Sequence, residues 1–301
     1  KAKIKVVARV LGPKEFGISI YKSLKDIHRV NKKLEKKLIQ KFFQKNKLKY
    51  ANIGFNRVKS ILNQTIKNPD PNIKKEIKKN QYNKKKRDQF YKHLNLDPTK
   101  KTCFVFSHNL LDGNLNGKEI HVFKDYLCWL RETLNYINKL DNSVNWIIKE
   151  HPSDYGFSKI KTTAKIEFDR IIGSNNKNIR FFPKEYNSSI IKDIADCVVS
   201  LSGTCGTEYT CFGIHSINSS GIFYSENGFS NDYKSKKEYF NFLKNIEKVI
   251  KNKLTKNQIY KARVHYYLSH ILTRYKNPLV YDFDITRNLN EKKFFNMVIG
   301  L

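Results

Sequence analysis

The sequence lacks the residue patterns that build structural metal sites, disulfide frameworks and membrane-spanning helices. Its 301 residues include five cysteines, seven prolines and one methionine. The cysteines are scattered without a CxxC pair, which disfavours a structural zinc site or a disulfide framework and favours a reducing compartment. No run of about 18 apolar residues exists, so the sequence predicts no transmembrane helix. Because the chain starts at Lys1 and its methionine is Met297, we expect the natural amino terminus to lie upstream.

Acidic residues are also scarce, and the resulting charge is unevenly distributed. Against 27 Asp and Glu stand 58 Lys and Arg, which gives a formal net charge of +31. Residues 1–100 hold 29 of the basic residues and seven of the acidic ones, whereas no Lys or Arg lies between Lys192 and Lys234. With 40% hydrophobic and 13% aromatic residues, the chain has enough apolar material for a core, so wholesale disorder is excluded.

The basic excess has three interpretations. One is a nucleic-acid-binding protein, although Lys far outnumbers Arg, unlike surfaces that read bases. Another is attachment of basic helices to the anionic surface of the inner membrane. The third is a solvated basic face without a partner.

The spacing of hydrophobic residues changes at Asp97 and Pro98. Before this point, residues 21–48 and 73–94 have the pattern of basic helices. After it, strands are predicted at residues 102–107, 144–149, 178–182, 197–200 and 214–217. Helices are predicted at residues 118–140, 162–172, 188–194, 236–251 and 257–272, with another one ending at residue 212. This alternation predicts an α/β fold with a Rossmann-like, doubly wound parallel sheet, preceded by a partial, mainly helical, basic region.

We expect three parts in the chain. Residues 1–97 form the basic, mainly helical remnant of an amino-terminal domain, and residues 98–275 form the Rossmann-like domain. Residues 276–301 form an extension that packs back on the first part. Ligands of such sheets bind at the carboxyl ends of the strands, so a site is expected in the loops after Ser107, Lys149 and Ser200.

The clearest local pattern is SLSGTCGTE, at residues 200–208. It predicts a turn that opens a helix, where free backbone N–H groups favour an anion. The hydroxyls of Ser200, Ser202 and Thr204 add donors, and Glu208 is placed to accept from two sugar hydroxyls. An ordinary strand-to-helix turn with a Ser or Thr cap is the alternative. Neither a Walker sequence nor GxGxxG is present, which disfavours a P-loop NTPase and a dinucleotide dehydrogenase.

Two more loops at the same predicted edge carry imidazoles. His151 directly follows a strand and precedes Pro152, which orients it, so His151 is a candidate to bind a phosphate or to exchange a proton. The loop at residues 107–113 contains His108 and Asp112, which are candidates for base or nucleophile. The alternatives are a structural or surface histidine and a turn-capping aspartate.

The loop at residues 221–229 offers aromatic rings. Tyr224 or Phe229 is placed to stack on a nucleobase, although a lone aromatic residue is more often buried under a loop. The other histidines lack metal-ligand spacing, and no DxD-type carboxylate cluster lies near these loops, so we expect no metal and no cofactor. These histidines are His28, His93, His121, His215, His265 and His270.

Four motifs follow one another along the chain: FSHNLLDG followed by FKDYLCWLRETL, then NWIIKEHP, then VVSLSGTCGTEYTCFGI, then the GxxYSxxGF run at residues 221–229. In this order they resemble the carboxyl-terminal half of bacterial capsule and surface-polysaccharide glycosyltransferases, in particular the capsular Kdo transferases of GT-B fold. The resemblance covers about residues 95–250 and implies a GT-B donor domain, with residues 1–97 as part of the acceptor domain. Two features depart from the family: Glu150 replaces the usual hydrophobic or small residue before His-Pro, and the acceptor domain is short.

The resemblance also implies roles for the candidate residues. His151 and Pro152 would hold the phosphate of a CMP-activated acidic sugar, and Glu208 would meet the ribose. The turn residues that would surround the same phosphate are Ser200, Ser202, Gly203, Thr204 and Gly206. Such a donor needs no metal, because N–H groups, hydroxyls and one histidine can hold a monoanionic phosphodiester and stabilise the leaving group.

The site residues and the resemblance together imply a cytoplasmic, metal-independent glycosyltransferase, with attachment to the inner membrane as one of the two uses left open for its basic helices. It would move a Kdo-like sugar from a CMP-activated donor to a polysaccharide or glycolipid acceptor, with no nucleic acid as partner. The alternative enzyme is a glycerophosphotransferase of the teichoic-acid type, which uses a CDP-linked donor. That family also has His-Pro and a serine pair, and it normally needs a second histidine motif, for which His108 is the candidate.

Overall fold

A hairpin and two helices precede the central sheet. The computed structural model describes residues 6–12, 15–21, 32–62, 84–110, 122–141, 143–151, 162–173, 176–220, 222–272 and 275–276. Its first elements are β1 (Val6–Gly12) and β2 (Glu15–Tyr21), which pair antiparallel, then α1 (Lys32–Leu62) and α2 (Lys84–Leu94). The hairpin was not predicted from the sequence, although helices make up most of what is described before Asp97.

Strands and helices then alternate, as the sequence predicts. In chain order they are β3 (Thr102–Phe106), α3 (Tyr126–Ile137), β4 (Asn145–Lys149), α4 (Ala164–Ile171), β5 (Ile179–Phe181), α5 (Ile191–Ile194), β6 (Cys197–Val199), α6 (Cys205–Thr210), β7 (His215–Ser219), β8 (Asn231–Tyr233), α7 (Lys236–Lys244), α8 (Ile246–Lys251), α9 (Lys256–Tyr267) and β9 (Tyr275–Lys276). A 3-10 turn precedes α5, and a π-helical turn, Leu268–Leu272, follows α9. The short strand β9 pairs antiparallel with β2.

Strands β3 to β8 form one parallel sheet in the order β5-β4-β3-β6-β7-β8. The chain begins this sheet in the middle with β3, winds outward to β5 and then returns to β6 on the other side of β3. This reversal makes the β3–β6 pair the topological switch point, and ligands of doubly wound sheets bind in the crevice outside the carboxyl ends of the strands at such a point. The doubly wound α/β fold expected from the sequence is confirmed.

Helices cover both faces of the sheet. One face carries α3, α4, α7 and α8, with the fully buried Trp129 and Tyr239 in its core. The other face carries α2, α5 and α6, with Phe90 and Tyr209 in its core. Helix α2 thus packs on the sheet itself, although it precedes Asp97. Because the middle residues of the central strands β3, β4 and β6 are apolar on both faces, polar side chains that could meet a ligand gather at the ends of these strands.

Helix α1 packs on α9, outside the layer that covers the sheet. It is broken at Asn46, which has a non-helical φ of −166° and ψ of 81°. The Asn46 side chain accepts a hydrogen bond from the N–H of Lys49 at 3.0 Å, so it caps the second half of α1. Gly54 in that half lies against α9, where a Cβ would overlap the carbonyl oxygen of Arg263. No helix within the described ranges is long and apolar enough to cross a membrane.

Helix α3 is shorter than the predicted helix at residues 118–140. The Asp125 carboxylate accepts a hydrogen bond from the N–H of Cys128 at 2.6 Å, so the helix begins at Tyr126. Residues 122–125 are not helical. Apolar spacing alone predicted a longer helix, because the spacing does not show the residue at which a capping side chain starts the helix.

Candidate functional site

The loops that follow β3 and β4 are joined where they leave the sheet. The N–H of Ser107 donates to the carbonyl of Lys149 at 2.9 Å, and the N–H of His151 donates to the hydroxyl of Ser107 at 3.1 Å. These bonds place the backbone of His151 beside the loop that carries His108. The other two candidates of these loops, Asp112 and Pro152, lie outside the described residues.

His108 reaches across the switch point to the turn after β6. Its Nε2 lies 3.2 Å from the backbone nitrogen of Ser202 and 3.2 Å from the Ser202 Oγ. Because a backbone N–H can only donate, Nε2 is the acceptor, and the imidazole is neutral with its proton on Nδ1. Two loops that the sequence placed only at the same edge are therefore in direct contact.

Tyr126 completes this contact. Its ring stacks on the His108 imidazole, with the ring centroids 4.1 Å apart and the planes at 15°. Its hydroxyl oxygen lies 3.2 Å from the Ser202 Oγ. We call His108, Tyr126 and Ser202 the switch-point cluster, and all three are partly exposed. Sequence reasoning missed Tyr126, since it fits the apolar stripe of its helix; its position at the start of the helix that follows the His108 loop was the available signal.

The turn after β6 is shaped from its buried side. The N–H of Gly203 donates to the hydroxyl of Ser200 at 3.1 Å, and the hydroxyl of Tyr224 lies 2.7 Å from the Gly203 carbonyl, to which it donates. Ser202 and Gly203 are partly exposed and Thr204 is exposed. A ligand in the crevice can therefore reach these three residues of the turn.

Three residues expected at the donor lie behind the turn instead. Ser200 is 1% exposed and Tyr224 is fully buried. Gly206 is also buried, and a Cβ there would overlap the hydroxyl of Tyr224 and the Oδ1 of Asn218. The stacking role expected for Tyr224 is corrected, because a buried ring offers no face to a nucleobase. Ser200 and Gly206 likewise support the turn from inside, because their contacts are with Gly203 and Tyr224 rather than with the crevice.

Glu208 lies in the first turn of α6 and is partly exposed. Burial raises the pKa of this carboxyl to about 7, against the opposing effect of a hydrogen bond with the Thr204 side chain. Near neutral pH the group is therefore divided between its protonated and ionised forms. In either form it can hydrogen-bond a sugar hydroxyl, as an acceptor or as a donor.

Two buried charged residues, Lys149 and Glu150, lie at the end of β4 and just after it, and the sequence pattern indicated no role for either. The Nζ of Lys149 donates to the carbonyl of Glu150 at 3.1 Å and lies 5.3 Å from the ring centroid of Phe182. Burial raises the pKa of Glu150, whereas a hydrogen bond from the N–H of Lys165 at the start of α4 opposes the shift. Glu150, which departs from the pattern of the resembled family, thus accepts a hydrogen bond at the amino-terminal end of α4. Within the described ranges, no group of three or more His, Cys, Asp or Glu side chains could hold a metal ion.

No protein-family model matches the chain, and no curated protein matches its sequence. Solved structures with a similar fold include the wall teichoic acid polymerase TagF, at 15% identity and a TM-score of 0.38 over 72% of this chain and 49% of that one. The β-Kdo 2,7 transferase of KpsC from Thermosulfurimonas dismutans has 13% identity and a TM-score of 0.38 over 82% and 62%. The UDP-GlcNAc 2-epimerase from Neisseria meningitidis, bound to UDP-GlcNAc, has 12% identity and a TM-score of 0.38 over 61% and 44%.

These similarities concern the fold alone. The chain spans less than two thirds of each of the three solved structures. A second Kdo transferase domain of KpsC is also among the similar structures. At this identity and TM-score the likeness carries no argument about the reaction, so the function rests on the residues of the site.

Proposed function

We propose that the crevice at the switch point binds the nucleotide-linked donor of a glycosyltransferase. The donor would be a CMP-activated, Kdo-like acidic sugar, and the acceptor a polysaccharide or glycolipid. The contact of His108 with Ser202 carries this proposal. It brings an imidazole and a hydroxyl together at the position where doubly wound sheets bind nucleotides.

The turn and the two neighbouring loops supply donors for one phosphate. Ser202 and Thr204 lie at the accessible side of the turn, and His151 leaves β4 beside the His108 loop. A monoanionic phosphodiester can be held by hydroxyl, N–H and imidazole groups, and the same preorganised groups stabilise the leaving CMP without a metal. Glu208, with a pKa of about 7, suits the ribose hydroxyls.

His108 is also suited to proton transfer in this proposal. Its Nε2 accepts a hydrogen bond from the N–H of Ser202, so this nitrogen carries no proton and holds the lone pair that a general base needs. An acceptor hydroxyl that takes the place of the Ser202 N–H on this lone pair would pass its proton to the ring. Asp112 remains the second candidate for base or nucleophile.

The presence of two histidines at this edge favours one alternative, a glycerophosphotransferase that uses CDP-glycerol. His108 and His151 come from adjacent parallel strands whose loops are joined by Ser107. A second histidine beside the serine turn is the feature that the teichoic-acid type of enzyme needs. Both reactions would use a cytidine nucleotide in the same crevice and differ in the group that is transferred.

Donor turnover separates the two reactions. We expect slow release of CMP from CMP-Kdo without acceptor, and loss of this release in His151→Ala. His93→Ala is the matched control, because His93 is exposed on α2 and pairs with Glu185. Release of CMP from CDP-glycerol alone would establish the alternative, and failure to bind or hydrolyse either donor would contradict both.

We also propose that the protein works in the cytoplasm at the inner-membrane surface, where glycolipid acceptors are found. Residues 36–49 of α1, before and just after its break, present exposed lysines, and each lysine near an anionic bilayer contributes about 1 kcal/mol. These are Lys36, Lys37, Lys41, Lys45, Lys47 and Lys49. Sedimentation with phosphatidylglycerol vesicles at low salt should recover more protein than with phosphatidylcholine; equal recovery would refute the attachment.

A further inference from the structure

A buried pair beneath the turn, Tyr224 and Asn218, deepens the proposed function and rests on it. We infer that these two side chains are positioning residues, which fix the peptide group between Gly203 and Thr204 and thereby direct the N–H of Thr204 toward the donor phosphate. Neither of them touches the donor. Their effect is exerted through the backbone of the turn.

The hydroxyl of Tyr224 lies between two oxygens. It is 2.7 Å from the carbonyl oxygen of Gly203 and 2.7 Å from the Oδ1 of Asn218. Both side chains are fully buried. This approach is possible because Gly206 has no side chain; a Cβ there would occupy the place of the hydroxyl.

The count of protons gives the direction of this network. A phenol has one proton, so it cannot donate to both oxygens, and the Nδ2 of Asn218 has no partner among the described residues. The nitrogen and oxygen of a side-chain amide exchange places by a half-turn. After this half-turn, the Asn218 nitrogen occupies the position assigned to Oδ1. From there it donates to the oxygen of Tyr224, and it lies 3.3 Å from the hydroxyl oxygen of Ser200. The proton of Tyr224 is then committed to Gly203.

A fixed carbonyl also fixes the N–H that follows it. The peptide bonds of the described residues are trans, and in a trans peptide the C=O and the N–H point in opposite directions. The carbonyl of Gly203 points to the buried Tyr224, so the N–H of Thr204 points away from the core. Thr204 is the exposed residue of the turn.

Gly203 makes this support necessary. Glycine has the widest backbone freedom of any residue, and here its N–H donates to Ser200, while its carbonyl accepts from Tyr224 and, at 3.3 Å, from the N–H of Gly206. These three bonds hold the turn in one orientation before a donor arrives, and the bond from Tyr224 is the shorter of the two on the carbonyl. Such preorganised donors stabilise developing charge better than donors that must first reorient.

Titration calorimetry with CMP tests this inference. Tyr224→Phe removes the hydroxyl and keeps the ring, and we expect it to weaken CMP binding about tenfold, the effect of losing one well-placed hydrogen bond. Tyr233→Phe is the matched control, because Tyr233 is also fully buried and its hydroxyl has no partner within the described ranges. We expect CMP affinity in this control to equal that of the wild type.

The amide proton of Thr204 gives a second readout, independent of the variants. In nuclear magnetic resonance spectra of the wild-type protein, this proton should move downfield when CMP binds, and in Tyr224→Phe it should move less. A wild-type protein that binds CMP without shifting this proton, or a Tyr224→Phe protein that binds CMP as well as Tyr233→Phe does, would overturn the positioning role alone. A wild-type protein that binds neither CMP nor either intact donor would overturn the proposed function, and this inference with it.

Discussion

Burial disfavours the charged forms of several titratable groups around the turn. It raises the pKa of Glu208 to about 7 and that of the Cys205 thiol to about 12, so Cys205 is not a thiolate at neutral pH. It also raises the pKa of Tyr224 well above its usual value, so the hydroxyl keeps the proton that it donates to Gly203. Cys205 and Tyr224 therefore add no negative charge to a crevice that is proposed to hold a phosphate, and Glu208 is only partly ionised near neutral pH.

Glu208 should make the stability of the protein depend on pH. Its pKa rises from 4.5 in the unfolded chain to about 7 in the folded protein, so the folded state binds more protons between these values and its stability falls as pH rises through this window. We expect Glu208→Gln to remove this fall and to melt at least about 2 °C above the wild type at pH 8, with a smaller difference at pH 4.5.

Thermal unfolding from pH 4.5 to pH 8 measures this effect. Glu247→Gln is the control, since Glu247 is exposed on α8, and it should follow the wild-type profile. If Glu208→Gln has the same pH profile as the wild type, the raised pKa is wrong.

The sequence predicted best those elements whose burial requires a continuous run of hydrophobic residues. The middle residues of strands β3 and β4 are apolar because helices cover both faces of the sheet. Strand β8 has the sequence Asn-Asp-Tyr, which carries no such pattern, and it is a strand because its backbone pairs with β7. Propensity and spacing cannot reveal an edge strand that depends on its neighbour.

The contact of α1 with α9 depends on one missing side chain. A Cβ at Gly54 would overlap the carbonyl oxygen of Arg263, and the backbone nitrogen of Tyr267 is also near. We expect Gly54→Ala to push the helices apart and to destabilise the protein by about 1–3 kcal/mol, although alanine is the better helix former. Chemical denaturation measures the change.

A control on the same helix separates packing from helix propensity. Gln44 is exposed on α1, and Gln44→Ala should change the stability by no more than about 0.5 kcal/mol. A Gly54→Ala protein that is more stable than the wild type would show that helix propensity, and not the close approach to α9, determines the effect of this substitution on stability.

The site as a whole is a product of the sheet order. His108 and Ser202 are 94 residues apart, and no local motif encodes their contact. The sequence predicted that their loops share one edge of the sheet. Their adjacency follows from the return of the chain from β5 to β6 beside β3. The same holds for the burial of Tyr224, whose role beneath the turn depends on Asn218 and Gly206 and is invisible in its own loop.

The structure of the protein with CMP bound tests the central claim most directly. We expect the phosphate to lie within hydrogen-bonding distance of Ser202 or Thr204 and of His151, with the ribose beside Glu208. Binding of CMP elsewhere, for instance on the exposed lysines of α1, or an empty crevice at millimolar CMP, would contradict the assignment of the switch point as the donor site.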